Sequence, residues 1–217
     1  MRGDKLVIKD HHVKSAQMVA EVVVPEIKNL TSGRYAITIA GESGSGKSET
    51  AETLRQELEK HDIHAFILQQ DDYFYYPPKT NAKMREKDIN HVGTSEVKLD
   101  LLDQNIQDAI QGKDSLEKPL VYFDEDKVET ETVDLSGVQV VIAEGTYTTS
   151  LDKPHTRVFI DRNYFDTKET RAERSREKQD EFLEKILKIE HDIIRKQREK
   201  ADLIITKEYE LKNLKKS

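Results

Sequence analysis

Residues 41–48, Gly-Glu-Ser-Gly-Ser-Gly-Lys-Ser, fit the spacing G-x-x-x-x-G-K-[ST], and their flanks narrow what this chain can fold into. Before them, Tyr35, Ile37 and Ile39 alternate with Ala36, Thr38 and Ala40, a strand pattern. After them, Ala51, Leu54, Arg55 and Leu58 recur at helical spacing. Strand, glycine loop, helix is the arrangement a phosphate cradle needs. Gly41, Gly44 and Gly46 let the backbone turn its N–H groups inward, and the helix start adds partial positive charge. Lys47 can reach outer phosphates and the Ser48 hydroxyl can ligate Mg²⁺. The whole stretch, Gly41, Glu42, Ser43, Gly44, Ser45, Gly46, Lys47, Ser48 and Glu49, is therefore the expected nucleotide site.

The rest of the chain alternates. A helix is expected over residues 10–30, capped by Asp10, with Val13, Ala16, Ala20, Val23 and Val24 inward and an end or kink near Val24 before Pro25. His11 and His12 read as a solvated helix start. Strands are expected at 64–69, 138–143, 157–160 and 201–206, the last followed by a fraying tail. A rigid aromatic loop ends at Pro77-Pro78, and 79–95 reads as irregular. Leu99, Leu102, Ile106 and Ile110 mark a helix stopped by Gly112. Residues 119–123 and 127–133 read as a β-hairpin. Residues 166–200 read as charged helix, with Phe182, Ile186, Ile189, Ile193 and Ile194 inward. Five or so core strands alternating with helices predict an α/β fold with a parallel sheet. The division expected is a helical extension over 1–32 and a P-loop domain over 33–217, with the hairpin at about 119–133 and a charged helical segment at about 164–180 that the resemblance given below implies is a kinase lid.

Composition limits the partners. The net charge of −7 argues against nucleic acid or an anionic membrane as a general partner. There is no cysteine, which excludes disulfides and thiol chemistry. No apolar run is long enough for a membrane span, and the N-terminus lacks a secretory apolar core, so cytoplasm is expected. These limits leave a small molecule as the expected partner, its role as a phosphoryl acceptor being what the family resemblance given below implies, with room left for a homo-oligomer.

Ligands of open α/β sheets sit beyond the carboxyl ends of the strands. One strand ends at the glycine loop, a second at Asp71-Asp72, a third at Glu144. Phosphoryl transfer needs positioning, Mg²⁺, cations and a carboxylate to accept the hydroxyl proton. Asp71 is the expected base, with Asp72 its nearest competitor. Ser48, Glu144 and Asp71 are the expected metal ligands. Arg171 and Arg174 share a helix face and could close over phosphates, a contribution on the order of 10³ to 10⁵ in rate for an arginine finger.

In this order the motifs resemble the uridine kinase and phosphoribulokinase family: the loop at 41–48, Gln70-Asp71-Asp72-Tyr73-Phe74, Glu144-Gly145, Arg171 and Arg174, and Ala201-Asp202-Leu203-Ile204-Ile205. The resemblance spans about 33 to 206. It implies a five-stranded kinase fold with appended hairpin and helical lid, and ATP with Mg²⁺. It also implies Asp71 as base with Lys47, Arg171 and Arg174 beside it, and a hydroxyl acceptor near Asp72, Tyr73, His91 and Tyr122. The departures fall on the acceptor side. Asn90-His91-Val92 stands where uridine kinases carry Asp-His-Pro, and the hairpin, Tyr122-Phe123-Asp124-Glu125-Asp126-Lys127, lacks their histidine and arginine. Losing a charged partner to a ribose hydroxyl removes a bond worth roughly 1.5–3 kcal/mol. Uridine kinase-like activity is the simplest expectation; pantothenate, nicotinamide riboside or a sugar phosphate are rival acceptors. A non-kinase ATPase or nucleotide-binding protein is the rival class, although no Asn-Lys-x-Asp guanine motif is present.

Overall fold

The computed structural model describes residues 6–174 and 180–215. Its elements run α1 (Asp10–Lys28), β1 (Tyr35–Gly41), α2 (Lys47–Glu59), β2 (Ala65–Gln69), α3 (Pro78–Lys87), α4 (Leu99–Ile110) and the hairpin β3 (Ser115–Tyr122) and β4 (Lys127–Asp134). There follow β5 (Val140–Glu144), β6 (Thr156–Ile160), α5 (Lys168–Arg174), α6 (Glu181–Ile194), β7 (Leu203–Ile205) and β8 (Leu211–Asn213).

The main sheet has the order β2-β5-β1-β6-β7-β8, with the first five strands parallel and β8 antiparallel at the edge. All seven residues of β1 are buried. The period of two explains why: Tyr35, Ile37 and Ile39 face one core with α1 and α2, while Ala36 and Ala40 face the other with α4. The sheet is thus the middle of three layers. The hairpin forms a separate two-stranded sheet in full antiparallel register from Ser115↔Asp134 to Tyr122↔Lys127. No described helix is long and apolar enough to cross a membrane.

Several local expectations change. Helix α1 does not stop near Val24 but runs through Pro25 to Lys28. Proline costs the helix one hydrogen bond, yet Ile27 beyond it is buried in the core and Asn29 N donates to Pro25 O at 3.2 Å. Lys9 rather than Asp10 occupies the cap, and Asp10 sits in the first turn, where negative charge suits the helix dipole. Residues 78–87 are helical rather than irregular. Pro77 caps α3 and Pro78 occupies its first position, where a missing N–H is no loss.

The tail does not simply fray, because 211–213 pairs with β7. The inward face of α6 is Leu183, Ile186, Leu187 and Ile194, while Phe182, Ile189 and Ile193 are half-buried. The Asp180 carboxylate caps this helix, accepting from Phe182 N and Leu183 N at 3.1 Å each. Of the expected charged helix, residues 175–179 lie outside the described residues.

Candidate active site

Strand β5 lies between β1 and β2, with Glu144 in register with Ile39 on one side and Gln69 on the other. The glycine loop leaves β1 two residues beyond Ile39, and Asp71 follows β2 two residues beyond Gln69. The topology therefore gathers loop, Glu144 and Asp71 at one sheet edge.

The loop turns through left-handed backbone at Gly44 (φ +75°) and Gly46 (φ +97°). Ser45 N donates to Glu42 O at 3.1 Å, and Lys47 Nζ folds back to the same carbonyl at 3.0 Å. Ser48 Oγ donates to Glu144 Oε1 at 3.0 Å. Burial, and next the charge of Asp71, push the Glu144 carboxyl up to about 7; Lys47 and the Ser48 bond act the other way. A hydroxyl and two converging carboxylates are hard oxygen donors of the kind Mg²⁺ prefers, and the raised carboxyl marks a charge deficit that a divalent cation would satisfy. The residues therefore fit Mg²⁺. Among the described residues no group of three or more His, Cys, Asp or Glu forms a metal site by itself.

The two adjacent aspartates part company in a 3₁₀ turn, residues 70–73. Asp72 is buried and faces the hairpin. Its Oδ2 takes Lys118 Nζ at 2.9 Å, and its Oδ1 takes Val121 N at 3.0 Å. Lys118 is also held by Glu131 Oε1 at 2.9 Å and Pro119 O at 2.7 Å. Asp71 is half-buried, acts electrostatically on Glu144, and among the described residues makes no side-chain hydrogen bond. Gln70 anchors the turn: its Oε1 accepts from Tyr147 N at 2.8 Å, and a Cβ on Gly145 would stand 2.2 Å from Gln70 Cβ. Glycine after Glu144 is thus required by close packing, a reason the sequence alone did not reveal.

Other expected residues are dispersed. Tyr73, expected at the acceptor, is instead fully buried in the core with Val97, Leu102 and Ile106. His91 Nε2 lies 3.1 Å from Asn81 Oδ1, and Tyr122 ends β3 opposite Lys127. Around them runs a network with no sequence signature: Glu96, fully buried, accepts from Arg85, from Asn81 Nδ2 at 3.0 Å and from Gly93 N at 3.0 Å. The segment leading into α5 lies on the glycine loop. Thr167 Oγ1 donates to Ser43 O at 2.8 Å. Arg171 is buried, donates to Tyr164 O at 2.7 Å, and its Cγ would stand 2.8 Å from a Cβ on Gly44. The side chain of Arg174, and residues Arg176 and Lys178, lie outside the described residues.

Glu42 carries an unforeseen link. Its Oε2 accepts from Tyr164 N at 2.7 Å and its Oε1 pairs with His191 Nδ1 at 2.6 Å, tying the loop to the segment before α5 and to α6. On the same edge a recess of about 350 Å³ opens between the ends of β6 and β7, lined among others by Asp161, Asn163, Thr206 and Lys207.

The family model for the phosphoribulokinase/uridine kinase family matches residues 36–208. A bifunctional alpha-galactosidase/sucrose kinase of Mediterraneibacter gnavus is 26% identical over 213 residues, covering 90% of this chain and 22% of that protein. A uridine kinase of Serratia proteamaculans is 37% identical over 112 residues, covering 50% of this chain and 51% of that one. The chain thus spans about half the length of that uridine kinase and less of the bifunctional enzyme. The structure of a possible uridine kinase from Bacillus stearothermophilus superposes with a TM-score of 0.64 at 17% identity, over 88% of this chain and 97% of that one, a likeness of fold.

Proposed function

The chain belongs to the phosphoribulokinase/uridine kinase family, and from that premise we propose that it transfers the γ-phosphoryl group of ATP to a hydroxyl of a small carbohydrate. The observation that carries the kinase reading is the meeting of Ser48, Glu144 and Asp71 at the mouth of the glycine loop. The loop N–H groups and Lys47 hold the phosphates. Ser48 and Glu144, with Asp71 nearby, would hold Mg²⁺, which when bound neutralises charge on the phosphate oxygens.

Asp71 accepts the proton of the attacking hydroxyl as the new O–P bond forms and ADP leaves. Asp72 has both carboxylate oxygens engaged by Lys118 Nζ and Val121 N on the hairpin, which makes it a structural anchor. Arg171, packed against Gly44, supplies a cation beside the loop.

A carbohydrate acceptor is favoured by an asymmetry. The likeness to the sucrose kinase-bearing protein runs over 90% of this chain, whereas the uridine kinase likeness covers half. The residues expected for a nucleoside are also missing at 90–92 and in the hairpin. A coupled ADP-release assay tests this over mono- and disaccharides, sugar phosphates, uridine, cytidine, nicotinamide riboside and pantothenate. The expected result is a kcat/KM for one of the sugars at least about tenfold above that for either pyrimidine nucleoside. A preference for uridine or cytidine contradicts the carbohydrate reading and supports the nucleoside one.

A further inference from the structure

We propose that His12, on the N-terminal helix, is a positioning residue for the phosphate loop, holding the backbone at Gly46 from outside the sheet. The inference rests on reading residues 41–48 as the ATP site, and adds a contribution from a helix that lies outside the matched family region.

The expected solvated histidine pair is not what forms. Helix α1 lies along α2, and Thr53 Oγ1 on α2 donates to His12 O at 3.3 Å. His12 is buried, at 6% exposure. Its ring fills the space where residue 46 would carry a side chain: a Cβ there would stand 2.8 Å from His12 Nε2 and 3.2 Å from Cδ2. Gly46 caps α2 in the left-handed region. Glycine is thus required at 46 for two reasons, the backbone angle and the imidazole.

The ring is itself fixed. Lys9 N donates to His12 Nδ1 at 3.1 Å, so Nδ1 is the acceptor and the proton of the neutral ring sits on Nε2. Nε2 then donates to His11 Nε2 at 3.1 Å. The His11 ring stacks on Tyr209, with centroids 3.8 Å apart, and the Arg162 guanidinium lies 5.0 Å from the same Tyr209 ring. Arg162 Nη2 reaches Asp166 O at 3.1 Å, at the start of the lid. His12 is thus backed by a continuous stack rather than by solvent. Burial also keeps the ring neutral.

Lys47 and Ser48 follow Gly46 directly. A prop at Gly46 therefore fixes the segment that presents them to the donor phosphates. Among the described residues it touches none of those expected at the acceptor, Asp72, Tyr73, His91 and Tyr122. Pre-organisation of this kind affects donor binding and leaves acceptor binding alone.

The test is ATP affinity of the full chain by titration calorimetry with Mg²⁺, alongside KM for ATP and for the acceptor. His12→Ala is expected to weaken ATP binding about tenfold and to change the acceptor KM by less than about twofold. His12→Gln, which returns an amide near the Nε2 position, recovers part of that loss. Val19→Ala opens a cavity in the same helix face away from the loop and matches the loss of thermal stability without the loss of ATP affinity. If His12→Ala does not fold, His11→Ala leaves the His12 ring in place, removes its Nε2 partner and the stack on Tyr209, and is expected to weaken ATP binding by about two- to threefold. Unchanged ATP affinity in whichever of these two variants folds, or a loss no larger than that in Val19→Ala, overturns the inference. A wild-type chain that binds no ATP overturns the phosphate-loop reading itself, and this inference with it.

Discussion

Lys118 Nζ lies 2.9 Å from Asp72 Oδ2, with both side chains almost wholly buried. This pair takes Asp72, the nearest competitor of Asp71 for the role of base, to the hairpin side. It also pins the hairpin to the turn that carries Asp71. Removing one partner of a buried pair leaves an uncompensated charge, at a cost of about 3–5 kcal/mol. Lys118→Met is therefore expected to lower Tm by about 10 °C for a chain of this size, while Lys127→Met on the exposed side of the hairpin changes it little. Thermal melts followed by circular dichroism decide this; equal melting temperatures for the two variants contradict it.

His12 gives a pH signature. Burial, with His11 next, pulls its pKa from 6.5 down to about 4; Lys9 and Arg162 act the same way and Glu49 opposes. Between those values the unfolded chain binds more protons than the folded one. The contribution of His12 is full above about 6.5 and is lost as pH falls toward 4. Glu144, raised to about 7, has the opposite sign: its contribution is present below its ordinary 4.5 and lost as pH rises through 7. His12→Gln removes the first and keeps the second. Urea unfolding at about pH 7.5 and about pH 5 should show the variant losing less stability on acidification than wild type. Parallel losses contradict the assignment.

Glu42 ties the loop to the segment before α5 and to α6. Truncation to alanine leaves Tyr164 N without its acceptor and His191 without its carboxylate. The expected cost is about 2 kcal/mol, measured as a shift in urea midpoint. Lys47 Nζ should be unaffected, because it bonds the Glu42 backbone carbonyl. A midpoint equal to wild type contradicts a structural role for the link.

Much of the framework is legible in periodicity. The runs at 35–40 and 138–143 alternate or stay apolar because each strand is covered on both faces. Leu99, Leu102, Ile106 and Ile110 marked α4 to its last residue because the helix has one clear apolar stripe. Helix α3 has no such stripe; it buries only Asn81, and Arg85 and Asn81 bind Glu96 across a loop. Strand β8 is three residues long on a sheet edge, too short to show a period. The site divides the same way. The loop, Asp71 and Glu144 are strand-end residues, visible once the strands are. The partners that assign their roles are remote: Lys118 is 46 residues from Asp72, and His191 is 149 from Glu42. Local pattern carries no trace of such pairs. The burial of His12 depends on Gly46 lacking a side chain, a fit that exists only in three dimensions.

The central claim is that Asp71, not Asp72, takes the hydroxyl proton, and it is most directly tested by Asp71→Asn. With the preferred acceptor at saturation, this variant should bind Mg-ATP with an affinity within about threefold of wild type and lose at least about 10²-fold in kcat. Wild-type kcat in Asp71→Asn, measured by ADP release, would contradict the account.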